Sequence, residues 1–198
     1  MAYYNSDREF SDYVHKQLAL SQIYQPLNWK EKVVDAQKLN FADQNHGIDY
    51  VFENPKGQQI YVQERFRDNF YKQYNDCTLR YMREHNAHEN RRLSEFFKIK
   101  AHFLVYGITN GSKWNNQRHT LTDFVKFAVI NLPVLFSKID EGAIILRKGN
   151  KTSYIENGKM IAPINQNTDQ SSNFVAFDIR QLQTLFQADR IIRLQKGF

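Results

Sequence analysis

Apolar and polar positions alternate most cleanly between residues 48 and 62. Ile48, Tyr50 and Phe52 occupy every second position, as do Ile60 and Val62. That is the period of half-buried strands. Between them Asn54-Pro55-Lys56-Gly57 sets Asn at i, Pro at i+1 and Gly at i+3, the residues a type I turn prefers. A hairpin is predicted here. Upstream, Ser6-Asp7-Arg8-Glu9 matches the capping box that opens a helix. Phe10, Val14 and Leu18 then repeat at i+4, so a helix is predicted over 7–20, stopped by Pro26. Residues 28–38 are expected to hold a strand ending in Val33-Val34.

Beyond the hairpin, helical pieces are expected between 75 and 100, the last carrying Leu93, Phe96 and Phe97 on one face. Residues 102–108 read as a buried strand closed by Asn110-Gly111. Leu121, Phe124, Val125, Ala128 and Leu132 predict a helix over 120–137, with Pro133 kinking or ending it. Short strands are predicted at 143–148, 152–156 and 174–179, a loop in the polar tract 165–173, a helix at 180–188 and a last strand at 190–195. No internal repeat or long linker interrupts the chain. The pattern gives an α/β (α+β) fold: a core over 1–112 and a C-terminal α/β extension, 113–198, packed into the same domain.

Composition narrows the function. With 198 residues, 41% hydrophobic and 14% aromatic, the chain can bury a core. A net charge of +6 favours an acidic partner such as nucleic acid, although a basic protein without one is also consistent. Cys77 is the one cysteine, which excludes an internal disulfide and a multi-cysteine zinc site and fits a reducing compartment. No apolar run is long enough to span a bilayer, and MAYYNSDREF lacks the apolar stretch of a signal peptide. A cytoplasmic location without a membrane partner is expected.

The turn sets the hairpin register. A type I turn followed by a left-handed Gly57 makes a three-residue hairpin with a bulge. Asn54 then pairs with Gln58, Phe52 faces Ile60, Tyr50 faces Val62 and Ile48 faces Glu64. On the other face Val51 meets Tyr61, Asp49 meets Gln63 and Gly47 meets Arg65. Opposed Cβ atoms lie about 4.5–5.5 Å apart, so one metal ion could bridge Asp49 and Gln63. A slip of one residue would instead set Asp49 with Val62 and Glu64. The first register is preferred because it gathers Ile48, Tyr50, Phe52, Ile60 and Val62 on one face.

The order helix, strand, hairpin, helix, strand over 7–108 resembles the core of the PD-(D/E)XK nucleases, a central mixed sheet flanked by helices. Within it, Gly47-Ile48-Asp49 and Ile60-Tyr61-Val62-Gln63-Glu64-Arg65 resemble the Gly-Ile-Asp strand and the Val-Gln-x-Lys strand of the Mrr-type restriction endonucleases. The Phe96-Phe97 helix and the strand running into Thr109 follow in the matching order. The resemblance covers about the first 110 residues. It departs from the family at Arg65, where the family keeps a lysine; arginine effectively cannot lose its proton to act as a base.

The resemblance implies a magnesium-dependent endodeoxyribonuclease of restriction or defence type, with manganese as a substitute ion and duplex DNA as substrate. Asp49 would be the principal ligand, Gln63 would offer its amide oxygen and Glu64 its main-chain carbonyl. Arg65 would contact the attacked phosphate and stabilise charge. Glu9 could point at the site from the first helix, though its place in the capping box is explanation enough. A homodimer is one arrangement such enzymes use to cut both strands.

Basic residues gather after the hairpin. Arg67, Arg80, Arg83, Arg91 and Arg92 are candidate DNA contacts, with Tyr71, Tyr74 and Tyr81 among them. Arginines interleaved with aromatics suit a nucleic-acid backbone, while ordinary ion pairs with Asp68, Asp76, Glu84, Glu89 and Glu95 are the plain alternative. His85 and His88 lack a third ligand, and Ser94 lacks a nucleophile-elbow context. Gly149-Asn150-Lys151-Thr152 reads as a turn, and Trp29 and Trp114 read as packing residues. The alternative function is a catalytically impaired nuclease-fold protein that binds nucleic acid. A partner protein using its C-terminal half as interface is a third reading.

Overall fold

The fold is that of a computed structural model describing residues 2–83, 92–113, 121–168 and 170–198. Helix α1 (Ala2–Val14) runs into a wider π-helical stretch, His15–Tyr24. The widening shows in the bond from the Gln25 N–H to the Leu20 carbonyl, five residues back, at 3.0 Å. The helix starts before Ser6, so the expected capping box lies inside it and has no end to cap, and it stops at Tyr24, directly before Gln25-Pro26. A two-residue strand, β1 (Lys30–Glu31), replaces the longer strand expected over 28–38. Helix α2 (Ala36–His46) follows, which the apolar pattern did not announce.

The hairpin forms in the expected register. Strands β2 (Tyr50–Glu53) and β3 (Gln59–Arg67) pair Tyr50 with Val62, Val51 with Tyr61 and Phe52 with Ile60. The Asn54 N–H donates to the Gln58 carbonyl at 3.0 Å, and Gly57 takes a φ of 74°. Ile48 departs from the expectation. It packs with Val51 and Leu104 rather than with Tyr50 and Phe52, because regular strand geometry begins only after Asp49.

After a short 3-10 turn (Asn69–Tyr71) comes β4 (Asp76–Arg80), where helix was expected. Cys77 and Leu79 point inward there, a period of two rather than 3.6. Of the expected helical pieces, the described residues keep only α3 (Glu95–Lys98). Strand β5 (Phe103–Thr109) lies where predicted, buried along nearly its whole length.

Strand β6 (Phe124–Asn131) corrects the helix expected over 120–137. Ala128 and Ile130 pack on one side of the sheet and Phe127 and Val129 on the other, so both faces are apolar and the strand alternation disappears from the sequence. Pro133 neither kinks nor ends a helix; it sits in the first turn of α4 (Leu132–Asp140), where a missing N–H costs nothing. Asn131 caps that helix, its side chain accepting from the Val134 N–H at 3.3 Å. The remaining elements are β7 (Ile144–Lys148), β8 (Tyr154–Glu156), β9 (Lys159–Gln166), β10 (Asn173–Asp178), α5 (Ile179–Phe186) and β11 (Ile192–Lys196). β9 was not foreseen and takes the start of the tract expected to be loop.

Two mixed sheets result. The first has the order β1-β2-β3-β5-β6-β11, antiparallel except for the parallel pair β3 and β5. The second runs β4-β10-β9-β7, with β8 also on β9. One face of the first sheet buries Phe52, Val62, Val105 and Val129 against Phe10, Val14, Leu18 and Ile23 of the long helix. Its other face meets the second sheet, α4 and α5 through Leu104, Ile130, Leu79, Val175, Phe177 and Leu182. Strands from the two halves of the chain are interleaved: β6 and β11 extend the first sheet, and β4 edges the second. Among the described residues no helix is long and apolar enough to cross a membrane.

Candidate functional site

The site begins where α2 ends. Gly47 closes the helix with a φ of 55°, its N–H donating to the Asp43 carbonyl at 3.0 Å. A Cβ on Gly47 would lie 2.5 Å from Gln63 Oε1, so two constraints call for glycine there. The chain then enters β2 through Asp49, which is 7% exposed. The Asp49 N–H donates to the Val62 carbonyl at 2.8 Å, and its Oδ2 accepts from the Glu64 N–H at 2.7 Å. Its Oδ1 accepts from Arg8 Nη1 at 3.1 Å.

Arg8 is the hub of an acidic cluster. Its Nη1 also reaches Asp43 Oδ2 at 2.9 Å, and its Nε meets Asp12 one helical turn on at 3.0 Å. Burial, then the neighbouring Asp43 carboxylate, push the Asp49 pKa up to about 8; the Glu64 N–H and Arg8 oppose the rise. Burial raises Asp43 too, against the pull of Arg8. Burial and the Asp43 charge thus favour the protonated form of Asp49, while the Glu64 N–H and the Arg8 guanidinium favour the carboxylate.

Gln63 is buried beside it, and its Oε1 has no hydrogen-bond partner among the described residues. Glu64 turns the other way, into the helical layer. Its Oε1 accepts from Tyr24 Oη at 2.5 Å and bonds His15 Nδ1 at 2.8 Å. The His15 ring stacks on Tyr50 at 3.7 Å, and the Tyr50 hydroxyl donates to Asp12 at 2.9 Å. Burial alone would lower the His15 pKa, but the bond and charge of Glu64 outweigh it and raise it. Burial raises the Glu64 carboxyl, against His15 and Tyr24. The Glu64 carboxylate is therefore committed to the core, as a strand residue of the same parity as Val62 and Phe66 should be.

Arg65 emerges on the opposite face, toward β4 and α3. Its Nη2 pairs with Glu95 Oε2, and its Nη1 donates to the Thr78 carbonyl at 2.8 Å. The same Glu95 oxygen accepts from the Arg80 N–H at 3.1 Å. These side chains line a cleft of about 1220 Å³ whose walls include Arg8, Asp43, Asp49, Gln63, Glu64, Arg65, Arg67, Arg80 and Arg83. Desolvation, then the adjacent guanidiniums of Arg65 and Arg83, lower the Arg80 pKa. Such crowding of cations is relieved by an anion.

Asp49, Gln63, Arg65, Arg67, Arg80 and Arg83 thus share one cleft. Arg92 is exposed and does not line it; its carbonyl accepts from the Arg83 N–H at 2.9 Å. Arg91, His85, His88 and Trp114 lie outside the described residues. Glu9 is exposed on α1 and is not part of the lining. Sequence reasoning missed Arg8, Asp43, Glu95 and the pair His15 and Tyr24. Arg8 was absorbed into the capping box, although its i,i+4 spacing to Asp12 was a visible hint.

Among the described residues no three His, Cys, Asp or Glu side chains are grouped to hold a metal ion. The donors that suit a hard cation are all oxygens: the Asp49 carboxylate, the unpartnered Gln63 Oε1 and Asp43 across Arg8. In this structure Arg8 Nη1 bonds both Asp43 and Asp49, so an ion held by these oxygens would have to displace it. Comparison with protein-family models, curated proteins and solved structures finds no match.

Proposed function

We propose that the chain is a metal-dependent nuclease that takes DNA in this cleft. The observation that carries the reading is a buried Asp49 carboxyl in a cleft whose walls carry Arg65, Arg67, Arg80 and Arg83 among carboxylates, beside a buried amide oxygen that has no hydrogen-bond partner among the described residues. The order of elements lends support: α1, β1, the β2–β3 hairpin, α3 and β5 follow one another as the resemblance to PD-(D/E)XK nucleases requires, with α2 and β4 inserted. Magnesium or manganese, held by Asp49 and Gln63 with Asp43 nearby, would supply an activated water and neutralise phosphate charge. Arg67, Arg80 and Arg83 would bind the backbone phosphates. Arg65, fixed by Glu95 and Thr78, would hold positive charge at the attacked phosphate but could not serve as the base.

The test is cleavage of circular duplex and single-stranded DNA in magnesium and in manganese. Asp49→Ala is expected to abolish cleavage while DNA binding in EDTA persists. Failure of the wild type to cut any DNA, modified DNA included, would overturn the catalytic reading. A second reading, a nuclease-fold protein that binds without cutting, is favoured by the ion pairs that already engage Asp49 and Arg65. It predicts salt-sensitive binding that neither metal nor Asp49 affects.

A further inference from the structure

Asp68 organises the turn that leaves β3. It is buried; its Oδ1 accepts from the Phe70 N–H and its Oδ2 from the Lys113 N–H, both at 3.2 Å. The Asn69 N–H donates to the Gly111 carbonyl at 2.9 Å, and the Tyr74 N–H to the Tyr71 carbonyl at 3.0 Å. The turn is therefore pinned at both ends. On it stand three aromatic rings in water: Phe70 is 73% exposed, Tyr74 48% and Tyr71 36%. Phe70 meets Tyr71 edge-on with centroids 5.4 Å apart, and Tyr71 meets Tyr74 at 6.2 Å. The Arg67 guanidinium lies over the Tyr71 ring, 5.2 Å from its centroid.

Phe70 and Tyr71 form part of the cleft wall that also carries Arg67, Arg80 and Arg83. Isolated exposed rings are ordinary, but rings gathered on a rigid turn beside clustered guanidiniums are not scattered surface. An apolar face alone would suit many partners. The adjoining positive wall selects a partial one: a flat, apolar group attached to a chain of anions. A nucleobase on its phosphate backbone has that chemistry, and it can reach a ring face only when unpaired. Paired bases in a duplex present edges, not faces.

Resting on the nuclease reading of the same cleft, we infer that Phe70 and Tyr71 form a stacking shelf for an unpaired base. The strand would enter past this shelf with its phosphates on Arg67, Arg80 and Arg83. The base could come from a single strand or be turned out of a duplex; the two sources share one chemistry and separate in the test.

The experiment uses the full chain in EDTA, so that binding is read apart from cleavage. Three labelled oligonucleotides are compared by anisotropy: a paired duplex, the same duplex with one unpaired 2-aminopurine, and a single strand. The duplex with the unpaired base, the single strand or both should bind about 5- to 100-fold tighter than the paired duplex. Tightening confined to the interrupted duplex points to a turned-out base, and tightening of the single strand points to single-stranded substrate. The 2-aminopurine emission should be quenched on binding. Phe70→Ala with Tyr71→Ala should bring the affinities together and abolish the quench, while Phe70→Trp should keep both. Salt-sensitive binding of all three with equal affinity, or a preference that survives the double alanine variant, would overturn the shelf alone. Absence of salt-sensitive binding to any of them would overturn the shelf together with the nuclease reading.

Discussion

Glu64 holds Asp49 with its backbone and not with its carboxylate: the Glu64 N–H donates to Asp49 Oδ2 at 2.7 Å, while the side chain reaches back to His15 and Tyr24. One residue therefore ties the floor of the cleft to the helical layer behind it. Two Glu64 functions follow, one for orientation of Asp49 and one for the core, and substitutions can separate them.

Glu64→Ala removes the acceptor shared by the Tyr24 hydroxyl and His15 and leaves both polar groups in the core. The expected loss is about 2–5 kcal/mol of stability. Glu64→Gln keeps an oxygen acceptor and should lose less. Urea unfolding of the two variants beside the wild type decides the matter, and equal midpoints for all three would show that the network contributes nothing.

Gly47→Ala forces a side chain into a left-handed backbone and into the space of Gln63 Oε1. About 1–3 kcal/mol of stability should be lost from the backbone strain. Gln63 must also swing aside, so manganese affinity measured by calorimetry should fall. A variant as stable as the wild type and with unchanged affinity would show that neither constraint acts.

Asp76 faces Asp178 across the β4–β10 ladder. Burial, and the Asp178 charge with it, raise the Asp76 pKa above its ordinary value of 3.8. The folded state thus holds this proton more tightly than the unfolded chain. The stability tied to it is complete below the ordinary value and is lost as pH rises through the raised one. Asp178→Asn removes the opposing charge and still caps α5, where the side chain accepts from the Gln181 N–H at 3.0 Å. Near pH 7 the variant should gain about 0.2–1 kcal/mol. The gain should fade as pH falls through the raised Asp76 pKa toward the ordinary value of 3.8, because Asp76 is then neutral and repels nothing. Denaturation midpoints across pH give the answer; a gain independent of pH would exclude the charge mechanism.

Arg80→Ala should weaken DNA binding and lower the slope of log affinity against log salt by about 1, the mark of one lost phosphate contact. Anisotropy titrations over a salt series measure both. An unchanged slope would remove Arg80 from the DNA path.

The hairpin was legible because its determinants are local. Asn54, Pro55 and Gly57 select the turn, the turn sets the register, and the register carries Asp49, Gln63 and Arg65 to one side. Strand β5 was legible for a similar reason, as an apolar run too short for most helices and closed by Asn110-Gly111. Strand β6 was not. Buried on both faces, it shows no alternation, and Leu121, Phe124, Val125, Ala128 and Leu132 happen to fall at helical spacing. Strand β4 hid behind its charges, since Asp76 and Arg80 border only two inward residues.

By itself, then, the sequence determined the turn chemistry, the pairing of β2 with β3 and which residue types stand along the cleft. These depend on neighbours a few positions apart. Tertiary structure alone decided what each group touches. Arg8, Asp43 and Glu95 arrive from three separate helices, positioned by packing between layers, and they settle the charges around Asp49 and Arg65. The direction of the Glu64 carboxylate was decided in the same way, by a π-helical segment whose His15 and Tyr24 supply the only bonds found to it among the described residues. Contacts between residues 30 to 50 positions apart leave no periodic trace in a chain, because the distance between them is closed by folding and not by local geometry.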